Sequence, residues 1–159
     1  MTTLEQRIEG LERRLQLFED VEAIRRLRVR YAEACDTGFD AGTILVLFTD
    51  DGVWDAGEFG RFVGEEMRPY WEETARMTRA AVHYMVNHVV DVGPNGTDAT
   101  GRCYLLATAD RDGTAYWMAV RYEDRYRKVA GRWLFSEMKL LPVFMTPFDE
   151  TWSLGPTAG

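Results

Sequence analysis

The sequence predicts an α+β fold in which helices come first and a curved antiparallel sheet follows. Apolar residues recur at helical spacing from Leu4 to Cys35, which is typical of amphipathic helices. Four later segments have the texture of strands and are separated by the turn sequences GPNGT, DRDG and VAG. Helices packed in the concave face of such a sheet would enclose a cone-shaped pocket, which is a natural site for a ligand.

The helical region is predicted to form two helices. The first carries a regular apolar seam formed by Leu4, Ile8, Leu11, Leu15 and Phe18. Thr3 and Gln6 fit a capping box at its start. The apolar pattern resumes over residues 21–35 and predicts a second helix that ends near Gly38. A seam as regular as the first can pack on the body of the fold or on another subunit.

The rest of the chain predicts mixed elements followed by the sheet. Residues 41–48 predict a short helix, the segment GVWDAGEFGRFVG a hairpin, and residues 65–77 another helix. The inner side of that helix is predicted to consist of Met67, Tyr70, Trp71 and Thr74. The four strands are predicted at 81–92, 98–109, 114–127 and 132–143. We expect residues 1–150 to form a single domain and residues 151–159 a flexible tail.

Composition argues against several classes of partner. The net charge of −7 disfavours binding to a nucleic-acid backbone, and the arginines of RRLRVR are interpreted as a solvated helix face. The N-terminal segment MTTLEQRIEG lacks the apolar core of a secretory signal, and no apolar run approaches a membrane span in length. Cys35 and Cys103 form no spacing motif. We therefore expect a cytoplasmic protein with reduced thiols.

Strand alternation assigns directions to several candidate residues. In the third of the four strands, the residues predicted to face inward are Tyr116, Met118, Val120, Tyr122 and Asp124. In the last strand, the residues predicted to share one face are Leu134, Met138 and Leu140. On the first strand, His83, Met85 and Asn87 share one side.

The two histidines of the chain, His83 and His88, both lie on the first of these strands. Because side chains alternate along a strand, their spacing predicts opposite faces unless a bulge intervenes. No carboxylate lies at recognisable ligand spacing, so no metal site is predicted. His88 is expected to pack or to contact another subunit.

Asp36 is the candidate partner of His83. It ends an otherwise apolar helix in RYAEACDTG, where a buried carboxylate would need a polar partner. An aspartate that accepts a hydrogen bond from one imidazole nitrogen fixes the tautomer and leaves the other nitrogen as a base. The alternative, which the residue pattern alone favours, is that Asp36 is a turn residue before Gly38 and that His83 is exposed.

Five segments follow one another in an order known from one group of proteins. They are VEAIRRLRVRYAEACD, LFTDDGVWD, HYMVNHVVDV, DATGRCYLLA and YEDRYRKVAGRWLFSE. Taken together they resemble the SnoaL-like branch of the nuclear-transport-factor-2 superfamily, and the resemblance covers nearly the whole chain. It implies a cone-shaped α+β barrel, in agreement with the pattern of helices and strands.

Within that branch the chain is most similar to the lyases scytalone dehydratase, bile-acid 7α-dehydratase and hexachlorocyclohexane dehydrochlorinase. The resemblance implies a cofactor-free elimination in which His83 removes a proton, Asp36 orients His83 and Tyr31 binds the reacting oxygen. The residues then expected to bind a small hydrophobic substrate are Trp54, Met85, Asn87, Tyr122 and Met138. The segment FMTPF is similar to a dehydrochlorinase segment that closes over the pocket.

One departure from this pattern affects the predicted reaction. Two of the lyases carry an arginine on the last strand that assists the leaving group, and the matching position here is Met138. The departure favours dehydration or isomerisation next to a carbonyl over loss of a halide. Two alternatives stay open, namely an isomerase or cyclase and a protein that binds a small molecule without changing it. The related lyases are trimers or dimers, so we expect a homo-oligomer and favour a trimer.

Overall fold

Helices precede most of the strands, as the sequence predicts. The computed structural model describes residues 3–150, so the predicted tail at 151–159 lies outside the described residues. The helices are α1 (Leu4–Asp36), α2 (Ala41–Leu45) and α3 (Met67–Met77). The strands are β1 (Phe48–Asp55), β2 (Arg61–Val63), β3 (Thr78–Val92), β4 (Asp98–Arg111), β5 (Thr114–Val129) and β6 (Arg132–Pro147). Single 3₁₀ turns at Gly57–Phe59 and Gly64–Glu66 connect β1, β2 and α3.

The six strands form one curved sheet in the order β2-β1-β6-β5-β4-β3. Strands β3 to β6 pair antiparallel in sequence, which confirms the predicted meander. β1 pairs antiparallel with β2 and parallel with β6, so the predicted hairpin joins the same sheet. The strand order ends at β2 and β3, which leaves the described sheet open rather than closed. The predicted α+β architecture, with helices in the concavity, is confirmed.

The prediction of two N-terminal helices was wrong, because α1 is continuous from Leu4 to Asp36. Neither glycine nor proline interrupts the chain between Phe18 and Val21, so the change of apolar face does not break the helix. The change occurs at the buried Asp20, which accepts hydrogen bonds from Lys128 Nζ at 2.6 Å and Trp133 Nε1 at 2.8 Å. These contacts fasten α1 to the sheet.

Residues 4–19 of α1 project beyond that attachment and are called the N-terminal arm. Every residue of the arm is exposed except the half-buried Gly10, and the arm is ~24 Å long. Its apolar seam is therefore uncovered, with Leu11 61% and Phe18 69% exposed. Thr3 and Gln6 form the predicted capping box at its start. No helix among residues 3–150 is long and apolar enough to cross a membrane.

The hydrophobic core lies between the second half of α1, α3 and the inner face of the sheet. α1 contributes Ile24, Leu27 and Tyr31, which pack with residues of β4, β5 and β6. In α3 the predicted inner side is confirmed for Met67, Trp71 and Thr74, which are buried, and Tyr70 is half-buried. In β5 the predicted inward set is buried from Val120 to Asp124.

A β-bulge in β3 overturns the prediction that the two histidines point to opposite faces. Val86 pairs with Tyr104 and Val89 with Arg102, so two residues of β3 stand opposite one residue of β4. Asn87 occupies the bulge with φ of 55°, in the left-handed region that asparagine tolerates. The extra residue turns the His88 side chain to the inner side of the sheet, the same side as His83.

A second bulge, in β6, changes which of its residues share a face. Tyr126 pairs with Phe135 and Arg125 with Glu137, so Ser136 is the extra residue. Phe135 and Met138 are consequently both buried, whereas Leu134 is only half-buried. The prediction that Leu134 shares the face of Met138 was therefore wrong.

The segment FMTPF also differs from its expected place. Residues 144–147 belong to β6, with Thr146 paired to Trp117 of β5. Phe148 then stacks on the ring of Trp117 at 6.0 Å. The segment is thus a continuation of the sheet, and two of its residues, Phe144 and Met145, line the cavity described next.

Candidate active site

A cavity of about 130 Å³ lies between α1, α3 and the inner face of the sheet. Its wall is largely apolar and aromatic. The aromatic residues that line it are Tyr31, Phe39, Trp54, Phe59, Tyr70, Trp71, Tyr122 and Phe144. Apart from the tyrosines, the ionisable groups among its described lining residues are His83 and Arg111. A small, mostly apolar molecule fits such a wall.

Asp36 and His83 are in direct contact at one side of this cavity. Oδ1 of Asp36 lies 2.6 Å from Nδ1 of His83, and the same oxygen accepts the backbone N–H of His83 at 2.9 Å. The His83 side chain is 7% exposed and that of Asp36 is 30% exposed. Asp36 contacts Nδ1 of the ring. The other ring nitrogen, Nε2, makes no hydrogen bond with residues 3–150.

The end of α1 positions Asp36 and a further residue, Phe39. Asp36 is the last residue of the helix, and Gly38 (φ 115°) and Phe39 (φ 56°) reverse the chain in left-handed conformations. The N–H of Phe39 donates to the carbonyl of Ala34 at 3.0 Å, which closes the turn. The Phe39 ring then packs edge-on against His83 and stacks on Trp71. A bulky residue at positive φ is strained, and here the strain places an aromatic ring beside the imidazole.

Burial lowers the pKa of His83 below its ordinary value, while the hydrogen bond and the charge of Asp36 raise it in opposition. Since burial is the larger effect, His83 is neutral near pH 7. A neutral imidazole whose Nδ1–H is held by a carboxylate presents an unprotonated Nε2. The electrostatics are therefore those of a base rather than of an acid.

Two predicted pocket tyrosines and one tryptophan line the cavity. They are Tyr31, Tyr122 and Trp54. Burial raises the pKa of both Tyr31 and Tyr122 far above the usual range, so their hydroxyl groups stay protonated and can donate hydrogen bonds. Trp54 Nε1–H is buried and makes no hydrogen bond within residues 3–150.

Three residues predicted to bind substrate lie elsewhere. Asn87 is exposed in the bulge of β3, which carries it out of the face shared by His83. Met85 is half-buried against the core but does not line the cavity. Met138 is fully buried and also stays out of the cavity wall. These three placements correct the sequence interpretation.

A buried polar cluster lies behind the cavity tyrosines. Arg28 Nη2 donates to Asp124 Oδ2, Tyr126 O–H donates to the same oxygen at 2.8 Å, and His88 Nε2 lies 3.2 Å from the Tyr126 hydroxyl. Asp124 holds the pKa of Arg28 well above its ordinary value against the opposing effect of burial. The absence of a Cβ at Gly101 leaves room for the Tyr126 ring. The arginine therefore remains charged although it is 1% exposed.

Arg28 also lies beside Met138, the residue of the last strand that departs from the lyase pattern. Its Nη1 is 3.7 Å from Sδ of Met138. Its guanidinium carbon stands 4.5 Å from the centre of the Tyr122 ring and 5.4 Å from that of Tyr31. Both rings line the cavity whereas Arg28 does not. The positive charge thus comes from α1 and is separated from the cavity by the two rings.

Comparison of the sequence with models of known protein families identifies the family of this chain. The profile of the SnoaL-like domain matches residues 16–139, which is most of the chain. The chain belongs to the SnoaL-like family. The match spans the second half of α1, the buried cluster and most of the residues that line the cavity, and the predicted resemblance to SnoaL-like proteins is thereby confirmed.

Solved structures share the SnoaL-like fold. A proposed aromatic ring hydroxylase from Novosphingobium aromaticivorans is 27% identical, with a TM-score of 0.75 over 82% of this chain and 94% of that one. A proposed scytalone dehydratase from the same organism is 20% identical, with a TM-score of 0.76 over 86% and 92%. A hexachlorocyclohexane dehydrochlorinase from Novosphingobium barchaimii is 18% identical, with a TM-score of 0.76 over 89% and 99%.

Sequence reasoning missed three residues around the site of this SnoaL-like protein. Arg28 was included in a solvated arginine run, yet it continues the buried helical stripe of Ile24 and Tyr31 at helical spacing. Arg111 was placed beyond the end of its strand. Phe39 follows the helix stop and carried no signal. Among residues 3–150 no group of three or more His, Cys, Asp or Glu side chains is arranged to hold a metal ion.

The buried cluster predicts a stability change with pH. Burial, together with the charges of Arg28 and Arg25, lowers the pKa of His88 to about 4. In the unfolded chain His88 has its ordinary pKa of 6.5 and binds a proton below that pH, whereas in the folded chain it does not. The free energy of unfolding therefore falls as the pH falls from 6.5 towards 4. Urea unfolding at several pH values measures how the free energy of unfolding changes with pH. Between pH 6.5 and 4 this change should be smaller for His88→Gln than for the wild type. Equal slopes for the two proteins would contradict this assignment.

Proposed function

We propose that this SnoaL-like protein is a cofactor-free lyase that eliminates water from a small, mostly apolar molecule. The observation that carries the proposal is the contact between Asp36 Oδ1 and His83 Nδ1 in the wall of an apolar cavity. It supplies a neutral, oriented imidazole in a site largely shielded from water. A general base of this kind contributes about 10²–10⁴ to a rate.

The proposed elimination uses the chain's own groups. His83 Nε2 takes a proton from the substrate carbon next to a carbonyl, and Asp36 stabilises the imidazolium that forms. The electron pair of the broken C–H bond forms a C=C bond as the C–O bond to the neighbouring carbon breaks. His83 then returns its proton to the departing hydroxide, which leaves as water. Base and protons are restored at the end of the cycle.

Hydrogen bonding to the substrate carbonyl is the proposed role of Tyr31. Its hydroxyl remains protonated because burial raises the pKa of Tyr31 well above the ordinary value. A donor aimed at the carbonyl oxygen stabilises the negative charge that develops there when the proton leaves. Trp54 and Tyr122, which line the same cavity, are proposed to hold the apolar body of the substrate.

The position of Arg28 bears on which group leaves. A halide or an unactivated hydroxyl benefits from a cation in contact with it, and Arg28 is separated from the cavity by Tyr31 and Tyr122. Elimination next to a carbonyl does not need that contact, because the carbonyl acidifies the C–H bond. We therefore favour dehydration over dehydrohalogenation, although structural relatives are named for both reactions.

The proposal is tested by the mass of the product. Purified protein is incubated with a panel of β-hydroxy ketones and aromatic polyols, and the products are analysed by mass spectrometry. We expect a product lighter by one water. A product of unchanged mass would identify an isomerase or cyclase, and tight binding without turnover would identify a binding protein. Either result would overturn the dehydratase proposal.

The proposed base also predicts a pH profile. Because protonated His83 cannot accept a proton, kcat/KM should be constant near pH 7 and fall by about tenfold per pH unit below the pKa of His83. That pKa lies below 6.5 because burial outweighs the effect of Asp36. In Asp36→Asn the pKa should move lower still, since a raising interaction is lost. A falling limb that lies above pH 6.5, or that does not move in the variant, would contradict the assignment.

We further propose that the chain assembles with copies of itself, with a trimer favoured. The uncovered apolar seam of the N-terminal arm and the exposed Tyr84, Val86 and Leu106 on the outer face of the sheet support this proposal. Leu11→Lys is expected to lower the molecular mass measured by sedimentation. Glu12→Lys, a change on the same arm but off the seam, should leave it unchanged. If sedimentation showed that the wild type is a monomer at micromolar concentration, this proposal would be wrong.

The cytoplasm is the compartment that we propose. Cys35 and Cys103 are both buried free thiols, which suits a reducing environment. The net charge of −7 makes a nucleic-acid partner unfavourable. The partner that the cavity favours is a small molecule.

A further inference from the structure

Arg111 is a charged residue in the cavity wall to which the proposed mechanism gives no role. It is the last residue of β4. Strand alternation places it on the same side as Leu105 and Ala109, which also line the cavity. Its presence there follows from the register of β4, whose last residue pairs with Thr78 and Thr114.

The guanidinium group of Arg111 lacks an anionic partner within the described part of the chain. Its Nε is buried and makes no hydrogen bond, and its Nη2 donates only to Sδ of Met77 at 3.8 Å. A thioether is a weak acceptor. Burial raises the pKa of Tyr70, which also lines the cavity, and the positive charge of Arg111 acts against that rise. Arg111 is half-buried, and its buried Nε–H is unfavourable without an acceptor unless a ligand supplies one.

Arg111 and His83 stand at different levels of the cavity. His83 pairs with Ala107, and Arg111 follows Ala107 by four residues on the same strand, which separates the two levels by ~13 Å. The lining residue of β4 between those levels is the apolar Ala109. The cavity therefore has a base near one level and a cation near its other end, with an apolar wall between them.

We propose that Arg111 binds a carboxylate of the substrate, which is thus an apolar molecule with an acidic group remote from its reacting carbon. The planar fork of a guanidinium group matches a carboxylate with two parallel hydrogen bonds. Binding there would satisfy the buried Nε and fix the depth to which the molecule enters. This inference rests on the proposed function only in taking the ligand to be the molecule on which His83 acts.

Binding experiments test the carboxylate site without turnover. The probes are benzoate, 4-phenylbutyrate and 2-naphthoate, each compared with its neutral primary amide by isothermal titration calorimetry. The proteins are the wild type, Arg111→Gln, Arg111→Lys and the control Arg125→Gln. Arg125 is an exposed arginine on β5 that pairs with Glu137 and lies outside the cavity.

We expect the wild type and Arg125→Gln to prefer at least one carboxylate over its amide by about tenfold or more. Arg111→Gln should lose the preference, and Arg111→Lys should keep part of it because the charge remains without the fork. Equal affinities for acids and amides in the wild type, a preference that survives in Arg111→Gln, or no binding of any carboxylate would each overturn the proposal. His83→Gln should retain the preference, so a loss of turnover alone leaves the site intact.

Discussion

Asp124→Ala is expected to lower the free energy of unfolding by about 3–5 kcal/mol. The substitution leaves the Arg28 guanidinium buried with 1% exposure and without its carboxylate. It also removes the carboxylate that accepts the hydrogen bond of the Tyr126 hydroxyl. That hydroxyl is in turn the hydrogen-bond partner of His88 Nε2. Urea unfolding at a fixed protein concentration measures the loss, since assembly would make the midpoint depend on concentration.

Two comparisons show whether the uncompensated charge is the cause. Asp51→Ala removes the partner of an exposed ion pair with Arg127, and it should leave the unfolding midpoint close to that of the wild type. The double variant Arg28→Met, Asp124→Leu removes both charges and should be markedly more stable than Asp124→Ala. If Asp124→Ala were as stable as Asp51→Ala, Arg28 would not depend on Asp124 for compensation.

His83→Ala is expected to reduce kcat/KM by about 10²–10⁴ for any substrate that passes the mass test. The imidazole is the cavity's candidate base, and a water molecule in the space left by the His83 side chain would be a much weaker base. Steady-state kinetics at neutral pH measure the loss. Binding of substrate should change little, because the base acts on the transition state.

The second histidine provides a matched control for this experiment. His88 lies on the same side of the sheet in the same strand, but it contacts Tyr126 and does not line the cavity. His88→Gln should therefore retain turnover when assayed under conditions in which it is folded. Wild-type rates in His83→Ala, or a loss of activity as large in His88→Gln, would reject His83 as the base.

Local patterns predicted the fold well because its determinants are local. The four strands of the meander are joined by short turns, and the inner side of α3 follows from helical spacing alone. The parallel pairing of β1 with β6 joins residues far apart in sequence and had no local signal. The continuity of α1 was missed because its two apolar faces serve different surfaces, one of which is exposed.

The candidate site was predictable only in part. Hydrophobic alternation predicted that the side of β3 carrying His83 faces solvent. In the structure the end of α1 covers His83 on that side with Asp36 and Phe39. An aspartate at the end of an apolar helix needs a polar partner, and this requirement, together with the family resemblance, predicted the contact between Asp36 and His83. Their role in catalysis stays a prediction.

The misplaced residues share a physical cause, which is a change of strand register. One extra residue at Asn87 sends that side chain outward and brings His88 inward. One extra residue at Ser136 exchanges the faces of Leu134 and Phe135. Alternation carries no warning of either bulge, since each depends on how the neighbouring strand pairs. Arg28 differs, because its helical spacing already placed it on the buried stripe.

The ring nitrogens of His83 provide the most direct test of the central claim, that Asp36 holds this residue as a neutral base with a free Nε2. With only two histidines in the chain, long-range ¹H–¹⁵N NMR spectra as a function of pH resolve both. We predict that His83 carries its proton on Nδ1 at neutral pH and titrates below 6.5, and that its pKa moves lower in Asp36→Asn. A His83 that carries its proton on Nε2, or that titrates like free imidazole in both proteins, would contradict the account.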